Sequence, residues 1–122
     1  MIFKIFHYIN MSGISPMVWG EHQWKLLHMI AATYPEKPTE IDKENYYDFI
    51  VSLGNVLPCE FCRYHFKQTL VNMNFNMSAL DSQETFFRFI FDLHNQVNIR
   101  LKKPVFDDYV YIRRKYEMYK QL

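Results

Sequence analysis

The stretch 81–104, DSQETFFRFIFDLHNQVNIRLKKP, reads as one amphipathic helix. Phe86, Phe89, Ile90, Leu93, Val97 and Leu101 recur at three- and four-residue intervals, which puts them on one face of a 3.6-residue helix. Asp81 followed by Glu84 resembles a capping box, and Pro104 cannot continue the backbone ladder, so the helix is bounded at both ends. His94 and Asn98 fall on the same apolar face, where polar groups need partners. Taken singly, His94 or His28 is more often a satisfied core histidine, and Lys102 and Lys103 a solvated helix end. As a cluster they can do more: an imidazole stacks on a purine, an amide bonds its edge, and the cationic helix end meets a phosphate.

The same periodicity extends along the chain. After Pro16, the residues Trp24, Leu27, His28, Ala31 and Tyr34 form one helix face, which Pro35 and Pro38 terminate. A second helix starts near Thr39 or Ile41 with Tyr46, Phe49, Ile50 and Leu53 as its stripe. Pro58 suits a first helical position, so a third helix is expected to begin there and to run through Phe66 toward Leu70. A short fifth segment carries Tyr109, Ile112, Tyr116 and Tyr119. No convincing alternating strand stands between these segments, and the connections are short, so the expected architecture is a compact all-α bundle. Residues 1–16 read as a tail and 17–122 as one domain. The apolar opening 1–9 is short and lacks a small-residue cleavage pattern, which makes it an ancillary strand or helix; Met11 is an alternative start.

Composition narrows the function. An apolar fraction of 49% excludes disorder, and a net charge of +1 without a basic stripe argues against a nucleic-acid binder. No apolar run approaches the ~20 residues of a membrane span. Gly13, Gly20 and Gly54 are the only glycines and are too far apart for a phosphate-cradling loop. A nucleotide cofactor must be held another way.

Cys59 and Cys62 are the only cysteines, in the run Pro58-Cys59-Glu60-Phe61-Cys62. Their spacing puts both sulfurs on one side of a helix start, where the positive end of the helix dipole stabilises a thiolate. Such a pair can cycle between dithiol and disulfide. Three other readings stay open: small buried hydrophobes, half of a zinc site with His65 and one more histidine, or a non-enzymatic helical interaction protein whose cysteines have no chemistry.

The order Trp19-Gly20-x-x-x-Trp24-x-x-Leu27-His28, Tyr34-Pro35, Pro58-Cys59-x-x-Cys62 and His94-Asn95-x-Val97-Asn98-x-Arg100-Leu101-x-Lys103-Pro104-x-Phe106-Asp107 resembles the FAD-linked sulfhydryl oxidases of the Erv/ALR family, from about Trp19 to about Tyr119. That resemblance implies a four-helix bundle with a short fifth helix and an FAD held without glycine loops. Gly20, Trp24, His28 and Tyr34 match first-helix positions that line the flavin. His94, Asn95, Val97, Asn98, Arg100, Leu101, Lys103 and Phe106 match the segment around its adenine and phosphates, and Tyr116 stands where the family usually has a tryptophan. The implied mechanism is a relay. A protein dithiol attacks the disulfide at Cys59, expected to be the more exposed sulfur at the helix tip; Cys62 passes two electrons to FAD, and molecular oxygen leaves as hydrogen peroxide.

The departures from the family pattern carry information too. Phe91 and Asp108 stand where cellular members carry a structural bridge, so stability has to come from packing and cofactor. No shuttle cysteine pair is present, so substrates reach Cys59 directly or through a thioredoxin-like carrier. This minimal form is similar to the oxidases of large cytoplasmic DNA viruses. It implies host cytoplasm or virion if viral, and the mitochondrial intermembrane space if cellular. A homodimer is the expected assembly.

Overall fold

The computed structural model describes residues 13–122, and the expected ancillary element at 1–9 and Met11 lie outside them. Five α-helices follow in order: α1 (Pro16–Ala32), α2 (Glu40–Val56), α3 (Glu60–Asn72), α4 (Gln83–Arg100) and α5 (Tyr109–Tyr119), with a 3₁₀ turn at Met77–Leu80 before α4. Among the described residues the only β pairing is an isolated bridge between Gly13 and Cys59.

Local chemistry sets each boundary. Ser15 caps α1 by accepting from Met17 N at 3.2 Å, with Pro16 in the first turn. The helix therefore starts one residue before the expected domain boundary. Thr39 caps α2 in a reciprocal box with Asp42, as one of the two expected starts required. Two starts differ from expectation. The box opening α4 is Ser82 with Thr85, whose hydroxyls and backbone N–H groups exchange bonds of 3.0 and 3.1 Å, because Glu84 is engaged by Arg113 and Tyr109 of α5. Helix α3 begins at Glu60 rather than Pro58. Cys59 is extended (φ −152°, ψ 118°), held so by its bridge to Gly13 and by capping Cys62 N through its own sulfur.

Helix α4 is the central element, packed against α1, α3 and the 3₁₀ turn. Its core face is wider than the stripe read from sequence: Phe87 and Phe91 are buried beside Phe86, Ile90 and Leu93, whereas Phe89 is half-buried and Leu101 exposed. On α2, Ile50 is fully buried but Phe49 is 38% exposed, because α3 and the 3₁₀ turn cover only part of that helix. At ~25 cal/mol per Å², burying each large core side chain contributes roughly 1.5–3 kcal/mol. Phe91 meets the Tyr109 ring edge-on at 5.1 Å, while Asp108 caps α5 by accepting from Tyr111 N at 2.9 Å. The α4–α5 corner is thus closed by an aromatic pair and a cap, at the two positions where the family resemblance implies a disulfide elsewhere.

Candidate functional site

The inner ends of α1, α3, α4 and α5 leave a cavity of about 1600 Å³. That exceeds the roughly 300–1,000 Å³ of drug-sized pockets and offers room for a dinucleotide. Gly20, Trp24 and His28 face it from α1 because four-residue spacing stacks them along one stripe. A Cβ on Gly20 would meet nothing nearer than the Pro16 side chain at 4.0 Å, so the glycine leaves that space to a ligand. From α4 and the loop after it come His94, Val97, Asn98, Arg100, Leu101, Lys103 and Phe106, and from α5 Lys115 and Tyr116.

An aromatic wall forms one side. The Trp24 and His94 rings stack at 4.2 Å and 8°, Phe106 meets His94 edge-on at 5.0 Å, and Tyr116 lies over His28 at 5.0 Å. His28 Nε2 and His94 Nδ1 are 3.1 Å apart, so one donates and the other accepts. Burial, then the charges of His94 and Lys115, push His28 down to about 3. Burial and Lys103 push His94 down to about 4. Both imidazoles are neutral at pH 7, and at least one of them must be for its nitrogen to accept in their shared hydrogen bond. Meanwhile Lys25, Arg100, Lys103 and Lys115 outnumber Glu21 and Glu60, so the cavity lining carries a net positive charge.

Among the described residues, the buried side-chain nitrogens left without a partner are Gln23 Nε2, His28 Nδ1 and Arg100 Nε. All three residues line this cavity. An unsatisfied buried polar group costs about 1–3 kcal/mol, so three such residues around one space leave its lining with bonding capacity unused.

The cysteines divide between two environments. Cys62 is half-buried and lines the cavity, with its N–H donating to Cys59 Sγ at 3.3 Å. Cys59 lies outside the cavity lining and is fully buried, which reverses the expectation that it is the more exposed sulfur. Among the described residues the segment 13–15 crosses it: Gly13 bridges Cys59, and Ile14 N donates to Pro58 O at 2.7 Å. Arg63, one residue past Cys62, donates to the Leu57 carbonyl and braces the turn from the other side. His65 packs edge-on to Phe61 at 4.0 Å, and burial followed by the charge of Arg100 lowers its pKa. No three His, Cys, Asp or Glu side chains converge on a metal-sized site among the described residues, so Cys59, Cys62 and His65 do not form the zinc half-site considered above.

Two expected lining residues stand elsewhere. Tyr34 follows the end of α1 and turns into the core, where its hydroxyl donates to Leu80 O at 2.6 Å and its ring meets Tyr46 and Phe86. Asn95 faces sideways and bonds the Phe106 backbone twice, both at 2.9 Å, fastening the loop that brings Lys103 and Phe106 to the cavity. Gln23 and Lys115 escaped the sequence reading. A signal existed for Lys115, since it shares a face with Ile112, Tyr116 and Tyr119; Gln23 had none, as only the fold shows its amide to be buried.

This arrangement coincides with a known family. The Erv1/Alr family profile matches residues 21–117. The chain belongs to the Erv1/Alr family. It is 39% identical over 85 residues to a protein of Acanthamoeba polyphaga mimivirus, covering 70% of this chain and 59% of that one. To the mitochondrial FAD-linked sulfhydryl oxidase ERV1 of Saccharomyces cerevisiae it is 34% identical over 88 residues, 72% of this chain and 45% of the relative. It thus spans about half the length of these two relatives. The FAD-linked sulfhydryl oxidase of African swine fever virus is 32% identical over 87 residues, with 71% of each chain covered. The crystal structure of the FAD-binding domain of Erv1 from Saccharomyces cerevisiae superposes with a TM-score of 0.71 at 30% identity, covering 86% of this chain and 92% of that one. Within the Erv1/Alr fold, the five helices are this chain's version of a shared architecture.

Proposed function

We propose that this Erv1/Alr chain is an FAD-dependent sulfhydryl oxidase that makes disulfides in protein dithiols. One observation carries the reading: Cys62 lines the same cavity as the Trp24–His94 stack and as Gln23, His28 and Arg100, the residues with orphan nitrogens. The residues fit FAD. The neutral aromatic wall suits flat rings, the orphan nitrogens suit ring and phosphate acceptors, and Lys25, Arg100, Lys103 and Lys115 suit a pyrophosphate. Bound there, FAD supplies a two-electron acceptor whose electrons pass to molecular oxygen, giving hydrogen peroxide.

The chain's own residues supply the thiol chemistry. A substrate thiolate attacks Cys59 Sγ of the Cys59–Cys62 disulfide, forming a mixed disulfide and releasing Cys62 as a thiolate beside the cavity. The substrate's second thiol, once deprotonated, displaces Cys59 and completes the substrate disulfide. Cys62 sits in the first turn of α3, where the positive end of the helix dipole stabilises a thiolate. His28 and His94, held neutral, keep the aromatic wall uncharged.

Substrates on this reading arrive directly or through a thioredoxin-like carrier. The viral relatives support a place in host cytoplasm or virion, and the mitochondrial relative supports the intermembrane space if the source is cellular. A homodimer joined through exposed apolar side chains such as Met17, Val18 and Leu26 completes the proposal; sedimentation showing monomer alone at micromolar concentration would remove that part. The decisive experiment is an absorption spectrum of the purified protein before and after a small dithiol in air, with peroxide assayed alongside. Flavin bands that bleach and recover are expected, and the cycle should vanish in Cys62→Ser while the flavin stays bound. A colourless protein, or retained turnover in that variant, refutes the reading.

A further inference from the structure

Cys59, where substrate must enter on the oxidase reading, is sealed by the chain itself. Among the described residues, the segment that crosses it is 13–15. Ile14 N donates to Pro58 O at 2.7 Å, and Ile14 O accepts from the Trp19 indole at 2.8 Å, so the backbone of Ile14 is latched on both sides. Because the bond joins the residue after Gly13 to the residue before Cys59, Gly13 and Cys59 form a non-hydrogen-bonded antiparallel pair. Facing Cα atoms in such a pair lie about 4.5 Å apart, and disulfides join Cα atoms at roughly 4.4–6.8 Å. A cysteine set opposite Cys59 on a strand of ordinary extended backbone, without the positive φ of Gly13, is therefore at bonding range of Cys59. Gly13 itself has no side chain, and its φ of +96° with a Cβ site 2.6 Å from Pro58 O keeps any other residue from holding this latch without strain.

We propose that the Pro58–Cys59 edge is the docking site for the substrate chain, and that Gly13 keeps the place of the substrate cysteine. This rests on the oxidase reading. The partner is an extended polypeptide segment that displaces residues 13–15, sets its cysteine opposite Cys59, and donates the N–H of the following residue to Pro58 O. Its thiolate then attacks Cys59 Sγ; the Cys59–Cys62 bond breaks, the intermolecular disulfide forms, and Cys62 carries away the electron pair. The recognition is by backbone, so it tolerates many sequences, as strand addition does, but rejects proline after the cysteine.

The test uses reduced Cys62→Ser protein, in which Cys59 captures a peptide and keeps it. The probe is a Val-Thr-Cys-Val-Thr peptide carrying its sulfur as a mixed disulfide with thionitrobenzoate. Cys59 thiolate attacks the peptide sulfur, the new disulfide forms, and coloured thionitrobenzoate is released. N-methylation of the residue after the cysteine removes the proposed donor and should slow capture roughly fivefold, the worth of one hydrogen bond. Methylation one residue further on should leave the rate unchanged. Gly13→Ala, which strains the latch, should speed capture of the unmodified peptide at least fivefold with circular dichroism preserved. Equal rates for the three peptides overturn the proposal whether or not Gly13→Ala folds. No flavin enters this readout: discrimination in a protein without flavin removes the oxidase reading and leaves the docking site, and flavin turnover without discrimination does the reverse.

Discussion

Replacing His28 by Asn should flatten the acid limb of the protein's stability. In the folded chain burial holds His28 at about 3, whereas an unfolded histidine titrates near 6.5. A folded pKa below the unfolded one means that the unfolded state binds the extra proton between those values. Stability therefore rises with pH across this window and is fully present above about 6.5. Lowering the pH from 6.5 to 4.5 should remove about 2.5 kcal/mol through His28 alone, from a slope of about 1.4 kcal/mol per pH unit. For a domain of this size that is a fall in Tm of roughly 10 °C. The assay is thermal unfolding followed by circular dichroism at several pH values, comparing slopes, because His28→Asn also changes packing at every pH. His94 is held down by burial and Lys103, neither of which the substitution removes, so the slope lost is that of one histidine. Parallel pH curves for the two proteins would show that His28 is not a buried neutral group and would refute the account of the aromatic wall.

Gly20→Leu adds a side chain where a Cβ has only Pro16 at 4.0 Å, so the helix should form normally while bound flavin per chain falls at least tenfold, read by absorbance against protein content. Tyr34→Phe removes the bond to Leu80 O and should cost about 1–3 kcal/mol in chemical denaturation with flavin content unchanged, which separates its core role from the flavin contact expected from sequence. Asn95→Ala frees the Phe106 backbone and should lower stability by about 1–2 kcal/mol, with faster flavin release as Lys103 and Phe106 lose their anchor.

Much of the fold was legible because apolar spacing is a local signal. Leu27, Ile50, Phe86, Ile90 and Leu93 are core residues at the positions their periodicity required, and Thr39 and Pro16 stand at helix starts. The site was legible in type: Cys62, Trp24, His28, His94 and Asn98 line one cavity, Cys62 having been marked by its spacing from Cys59, His94 and Asn98 by their chemistry on an apolar face, and Trp24 and His28 by the family resemblance. The reading went astray where one residue's local fitness was outvoted by a distant partner. Pro58 could have opened α3, but a strand-like bridge from Gly13 held Cys59 extended. Glu84 could have capped α4, but Arg113 and Tyr109 had taken it. Tyr34 and Asn95 have the right chemistry for a ligand, yet they bond the Leu80 and Phe106 carbonyls.

Helical class, a single Cys-x-x-Cys pair and a polar cluster on the fourth helix could all be read from the linear order, since period, caps and cysteine spacing act over a few residues. Only the tertiary structure decided which sulfur faces the cavity and which is covered, which nitrogens were left unsatisfied, and that two histidines 66 positions apart share one hydrogen bond. Those outcomes depend on how α1, α3, α4 and α5 meet, and side chains brought together from distant segments leave no mark in local spacing.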